Sequence, residues 1–90
     1  MTRPEANGTA VFGDDGINLH QEARLNSPVV GQGYTGQRAD LICVTDGDPV
    51  NGITTWYKLT DVDTGVTGFV AYGATAHTFR DVTWTNPTSC

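Results

Sequence analysis

The side chains able to do covalent or metal chemistry are few, and their spacing restricts them. Cys43 and Cys90 are the two thiols, and His20 and His77 the two imidazoles. A thiol enzyme needs its cysteine held beside a basic histidine. Cys43 lies in the apolar run Leu41-Ile42-Cys43-Val44, where a buried thiol is inert, and Cys90 is the last residue. Ser27 and Ser89 sit in no nucleophile motif. Asp61-x-Asp63-x-Gly65 has the opening spacing of a calcium loop but lacks the third ligand and the distal glutamate. Its Asp and Gly read first as hairpin turn residues. Asp14-Asp15 and Asp46/Asp48 flank glycines in the same way. Two isolated histidines do not make a zinc site. The chain therefore reads as non-catalytic, with no metal or other cofactor.

Binding chemistry has better candidates. Residues 54–60 and 66–72 alternate as the arms of a β-hairpin, linked by Asp61-Val62-Asp63-Thr64-Gly65. Strand alternation puts Tyr57 and Leu59 on one face and Trp56 and Lys58 on the other. If the Leu59 face is the core, Trp56 is either the wall of a groove or a wall residue of a small core. Tyr72, Tyr34, Asn18 and His20 would extend such a groove. Aromatics offer broad contact area with a polar handle, which suits peptide recognition.

The elements that must position these residues are strands. The chain has 90 residues, 38% hydrophobic and 17% charged, with abundant glycine and a single lysine, Lys58. That length makes one small domain, and the composition favours turns and strands over helices. Residues 1–8 are polar and read as a linker or tag remnant. They hold no signal peptide, so either the domain is excised with an added start or the chain stays inside the cell. Residues 9–12 and 17–21 read as strands, separated by the turn Gly13-Asp14-Asp15-Gly16. Residues 22–28 are a polar loop closed by Pro28. Residues 29–34 form a strand broken by glycines, 35–38 a turn, and 39–45 the most apolar strand. Residues 46–52 read as a long turn-rich loop before the hairpin. Residues 74–84 make one more strand, and 86–89 are coil. No stretch keeps a helical period. Several short strands between turn signals predict an all-β fold. The expected form is a small barrel of about five to seven short strands, with no substantial helix.

The net charge of −5 disfavours nucleic-acid backbones and anionic membranes. No apolar run approaches a membrane-spanning length. An even cysteine count in a small domain points to one disulfide, Cys43 to Cys90. The other reading is two free thiols. A disulfide would imply an extracytoplasmic home.

The ordered set Ile17-Asn18-Leu19, Pro28-Val29-Val30-Gly31, Thr35-Gly36-Gln37, Trp56-Tyr57-Lys58-Leu59 and Gly68-Phe69-Val70 resembles the bacterial SH3-like (SH3b) domain. Cys43, Val50-Asn51-Gly52 and Cys90 resemble its secreted actinobacterial branch, in which the two cysteines accompany one another. The chain departs from the family pattern at His20, where arginine is usual, at Gln21-Glu22-Ala23, which replaces S-G-P, and at Phe69, where tryptophan is usual. The resemblance implies an SH3-like barrel over residues 9–76 and a C-terminal extension, 77–90, tied back by Cys90. It implies a monomeric, secreted or envelope module that tethers other proteins to peptidoglycan through its peptides. Asp14, Asp15 and Glu22 would form an acidic rim that attracts amino groups. The rival expectation is a protein–protein or structural module of a secreted, envelope or phage protein, with another domain as partner.

Overall fold

Alternation and turn chemistry set the strands. In the computed structural model, which describes residues 6–90, seven strands form. They are β1 (Gly8–Phe12), β2 (Ile17–His20), β3 (Val29–Gly33), β4 (Arg38–Val50), β5 (Ile53–Asp61), β6 (Thr67–Ala71) and β7 (Phe79–Trp84). They join one antiparallel sheet in the order β3-β2-β6-β5-β4-β1-β7, the all-β architecture expected and one that fits a small SH3-like barrel. Every second residue turns inward. Ala10 and Phe12, Ile17 and Leu19, Ala39 and Leu41, Leu59, and Val70 make one buried cluster. Each large aliphatic side chain buried there contributes about 1.5–3 kcal/mol.

The hairpin read from the sequence is β5–β6, paired from Trp56↔Ala71 to Thr60↔Thr67. Its Leu59 face is indeed the core face, with Tyr57 packed against the cluster. Its turn is closed by Asp61. The Asp61 carbonyl accepts from Gly65 N–H at 2.7 Å and its Oδ1 from Asp63 N–H at 3.0 Å.

The expected loop over residues 46–52 is a correction. The β4–β5 ladder continues through it to the pair Val50↔Ile53, with the register slipping between Asp46 and Val50. Asn51 (φ 52°) and Gly52 (φ 81°) form the two-residue tip that Asn-Gly favours, because both central positions need positive φ. The slip is a bulge, which gives Pro49 a place where no ladder N–H is required.

The last strand is shorter than expected. Residues 74–78 form a turn instead, in which Thr78 Oγ1 accepts from Thr75 N–H and donates to Thr75 C=O, both at 3.0 Å. The hydroxyl satisfies the backbone locally, so no ladder is needed. β7 then pairs with β1, with a register shift where Asp81 adopts φ 53°.

The cysteines form the Cys43–Cys90 disulfide, with Cα atoms 5.0 Å apart. Beside it, Val44 N–H donates to Thr88 C=O and Cys90 N–H to Val44 C=O. Of the stretch read as a linker, residues 1–5 lie outside the described residues. Asn7 is pinned, its N–H donating to Leu41 C=O and its side-chain amide to Ile42 C=O. Gly8 opens β1.

Candidate functional site

Trp56 does not line a surface. It is fully buried, although it lies on the sheet face opposite Leu59. The first loop, residues 21–28, folds over that face, and the β4 bulge meets it. Ser27 Oγ accepts from Glu22 N–H at 2.8 Å, which closes the loop on itself. Ala23 C=O accepts from Asp48 N–H, and Asp48 Oδ2 from Leu25 N–H at 2.9 Å. Beneath them the Trp56 indole N–H donates to Asp48 C=O at 2.9 Å. Gly47 makes the approach feasible, since a Cβ there would stand 2.7 Å from Trp56 Cδ1 and against the Ala23 carbonyl. The expected groove residue is thus the centre of a second, small core.

His20 stands on this core. Its ring meets the Trp56 ring edge-on, with centroids 5.4 Å apart. Its Nδ1 lies 3.1 Å from Ser27 C=O. It borders a pocket of about 230 Å³. Asn18 reaches the same pocket from β2, Leu25 from the first loop, Val50 from the β4–β5 tip, and Ala71, Ala74 and Thr75 from the end of β6 and the turn after it. Asn51 holds the tip to this last segment through a side-chain bond to Gly73 C=O at 2.8 Å. Four chain segments therefore converge on one cleft, and two of the expected ligand residues, Asn18 and His20, are in it.

The other expected residues lie elsewhere. Tyr34 is exposed and reaches the cleft only indirectly. Its hydroxyl donates to Gln32 Oε1, and Gln32 Nε2 donates to Asn18 Oδ1, both at 2.9 Å. Tyr72 packs on Tyr57, with ring centroids 5.3 Å apart, so it belongs to the Leu59 face and cannot share a groove with Trp56. Phe79 and Trp84 join it there, each within 5.5 Å of the Tyr57 ring centre. Burial among these rings pushes the Tyr57 phenol above its ordinary value, partly offset by a Trp84 hydrogen bond. These four rings form a cluster that the sequence did not announce. Trp84, the last residue of β7, packs this end of the chain onto the cluster.

The expected acidic rim divides in two. Asp14 and Asp15 adjoin Gly16, which borders the cleft. Hydrogen bonding to Thr35, first through its backbone N–H, holds the Asp15 carboxyl below its usual range. Glu22 instead borders a second concavity with Asp46, Asp48 and Phe69. Lys58 lies over the Phe69 ring there, 5.8 Å from its centre.

Asp61, half of the calcium-like spacing, is fully buried, and its Oδ2 has no hydrogen-bond partner among the described residues. Among the described residues no group of three or more His, Cys, Asp or Glu could hold a metal ion. Burial raises the Asp61 pKa above its ordinary 3.8, against opposing backbone hydrogen bonds from Asp63 and Thr64. The folded state thus holds this proton more tightly than the unfolded chain. Its contribution is present below pH 3.8 and is lost as pH rises through the folded pKa. Urea midpoints of the wild type relative to Asp61→Asn should therefore fall with rising pH across that window and then level off. A pH-independent difference would show that Asp61 does not titrate on folding.

A small all-β sheet wrapped around one core, with a cleft at its side, fits the SH3-like class. Residues 15–76 match the family model of the bacterial SH3 domain, and the chain belongs to that family. β1 and β7 lie outside the matched segment. No curated protein and no solved structure matches the chain.

Proposed function

We propose that the chain is a non-catalytic module that binds cell-wall peptide in the Asn18–His20 cleft. Bacterial SH3 domains are in general binding modules, and peptidoglycan peptide is the ligand class the resemblance implies. The observation that carries the reading is the cleft itself. It is concave, walled by the small or apolar side chains Leu25, Val50, Ala71 and Ala74, and has three polar side chains, Asn18, His20 and Thr75, in its lining. Binding sites share that composition. The disulfide supports a secreted or envelope location, since such bonds persist in oxidising compartments.

A pull-down on purified peptidoglycan at low salt tests this. The wild type should be retained. Thr75→Trp, which fills the cleft from a turn at its edge, should lower retention at least about tenfold, the effect of displacing a few ordinary contacts, with an unchanged circular dichroism spectrum. Equal retention of both proteins would place the ligand elsewhere.

The protein–protein reading has one observation in its favour. β3 is an edge strand with Val29 and Val30 exposed and no charged residue among its five, and uncharged apolar edges invite strand pairing.

A further inference from the structure

We infer that His20 Nε2 is an acceptor for a main-chain N–H of the bound peptide, and that this contact sets which peptides the cleft admits. The inference rests on the cleft being the binding site.

The tautomer follows from the partner. Ser27 C=O can only accept, so the 3.1 Å contact to Nδ1 requires the proton on Nδ1. In the neutral ring Nε2 is then the acceptor. The ring cannot swing away, because the Ser27 bond and the Trp56 edge contact hold it on two sides. His20 is only 7% exposed, and Nε2 has no hydrogen-bond partner among the described residues. Among the described residues the one sealed side-chain polar atom without a partner is Asp61 Oδ2, so Nε2 is not sealed. His20 borders the cleft, and we assign the opening of Nε2 to it. A fixed, nearly buried acceptor with no partner calls for a donor from the ligand.

Asn18 supplies the complement. Its Oδ1 is taken by Gln32 Nε2, whose own carbonyl is held by Tyr34. The Asn18 Nδ2 donor remains available. Asn18 and His20 are two residues apart on β2, on the same face, and a strand repeats every two residues at about 6.6 Å. An extended peptide repeats its inward-facing N–H and C=O with that same period. A peptide lying along β2 can therefore give an N–H to His20 and a C=O to Asn18. Recognition of this kind reads the main chain. It rejects proline or an N-methylated residue at the position facing His20, and admits residues small enough for the Ala71 and Ala74 wall. Tyr34 is a positioning residue in this scheme, acting through Gln32.

The test uses the full chain and the probe N-acetyl-trialanine amide, with three analogues N-methylated at one alanine nitrogen each. Titration is followed by nitrogen-15 and amide NMR. Saturation should move the His20 Nε2 resonance toward the hydrogen-bonded range and leave Nδ1 nearly fixed. One analogue should bind about fivefold more weakly than the other two, the worth of one neutral hydrogen bond. His20→Phe, which keeps a ring against Trp56, should bind all analogues alike. Should that variant fail to fold, the analogue series and the imidazole shifts on the wild type decide alone. Perturbed cleft amides with a static Nε2 and equal analogue affinities would overturn the inference and leave the cleft as the site. No perturbation of cleft amides would overturn both.

Discussion

Replacing Trp56 by alanine is expected to destabilise the whole domain, not to strip a binding surface. Truncating a buried tryptophan costs about 3–5 kcal/mol, the lost transfer energy plus the cavity left behind. That is a large share of the 5–15 kcal/mol that holds a typical domain together. Three features put Trp56 at the upper end. It is fully buried, its indole N–H bonds Asp48 C=O, and His20 rests on its ring. The cavity could not collapse easily, because the first loop above it is held by its own hydrogen bonds to the β4 bulge. At about 4–8 °C per kcal/mol for a domain of this size, the melting temperature should fall by roughly 15–40 °C. Trp56→Phe keeps most of the packing and loses the hydrogen bond, so it should fall in between. Thermal unfolding by circular dichroism measures both. An alanine variant melting within a few degrees of wild type would show that the loop closes over the gap. Any loss of ligand in a variant that stays folded would be secondary, through tilt of His20.

The face of Trp56 was legible and its burial was not. Alternation in residues 54–60 places Leu59 inward and Trp56 opposite, as the structure has it. It says nothing of what covers the opposite face. The cover is residues 21–28, a polar loop without hydrophobic periodicity, and a bulge in β4. That bulge was hidden because Asp46-Gly47-Asp48-Pro49 has the composition of a loop, whereas its role is to let the ladder continue past a proline. The Asn51-Gly52 tip carried a specific hairpin signal that the loop reading passed over. The cleft lay beyond local patterns because its walls come from four segments. Asn18 and His20 were found because they alternate with the core residues Ile17 and Leu19. Tyr72 ends the second arm of the same hairpin as Trp56, which suggests a shared groove, but one step along a strand reverses the face. That reversal puts Tyr72 with Tyr57 and the Phe79 and Trp84 rings of β7. The disulfide was the easiest feature to read, since two cysteines allow only one intramolecular pairing.

Removing that disulfide should have an effect as large as losing Trp56, through a different state of the chain. The bridge joins residues 47 apart in sequence. In the chain-entropy model, a loop of that size removes about 4 kcal/mol of freedom from the unfolded ensemble. Little of this depends on native packing at the tail, because residues 85–90 are exposed. They touch the barrel through a few backbone bonds to Asn7 and Val44. A Cys43→Ser/Cys90→Ser variant should therefore keep the wild-type sheet spectrum at low temperature while its urea midpoint falls, by up to about 4 kcal/mol in unfolding free energy. Wild type under reductant should follow the variant, and the variant should not respond to reductant. A loss below about 1 kcal/mol would mean that the reduced chain already keeps β4 near the tail when unfolded, since residual structure there removes the entropic gain. A full loss would leave the reduced domain with a small margin, which ties its working stability to an oxidising compartment. It would also account for the covalent closure of a tail whose exposed residues bury too little surface to hold it on the barrel unaided.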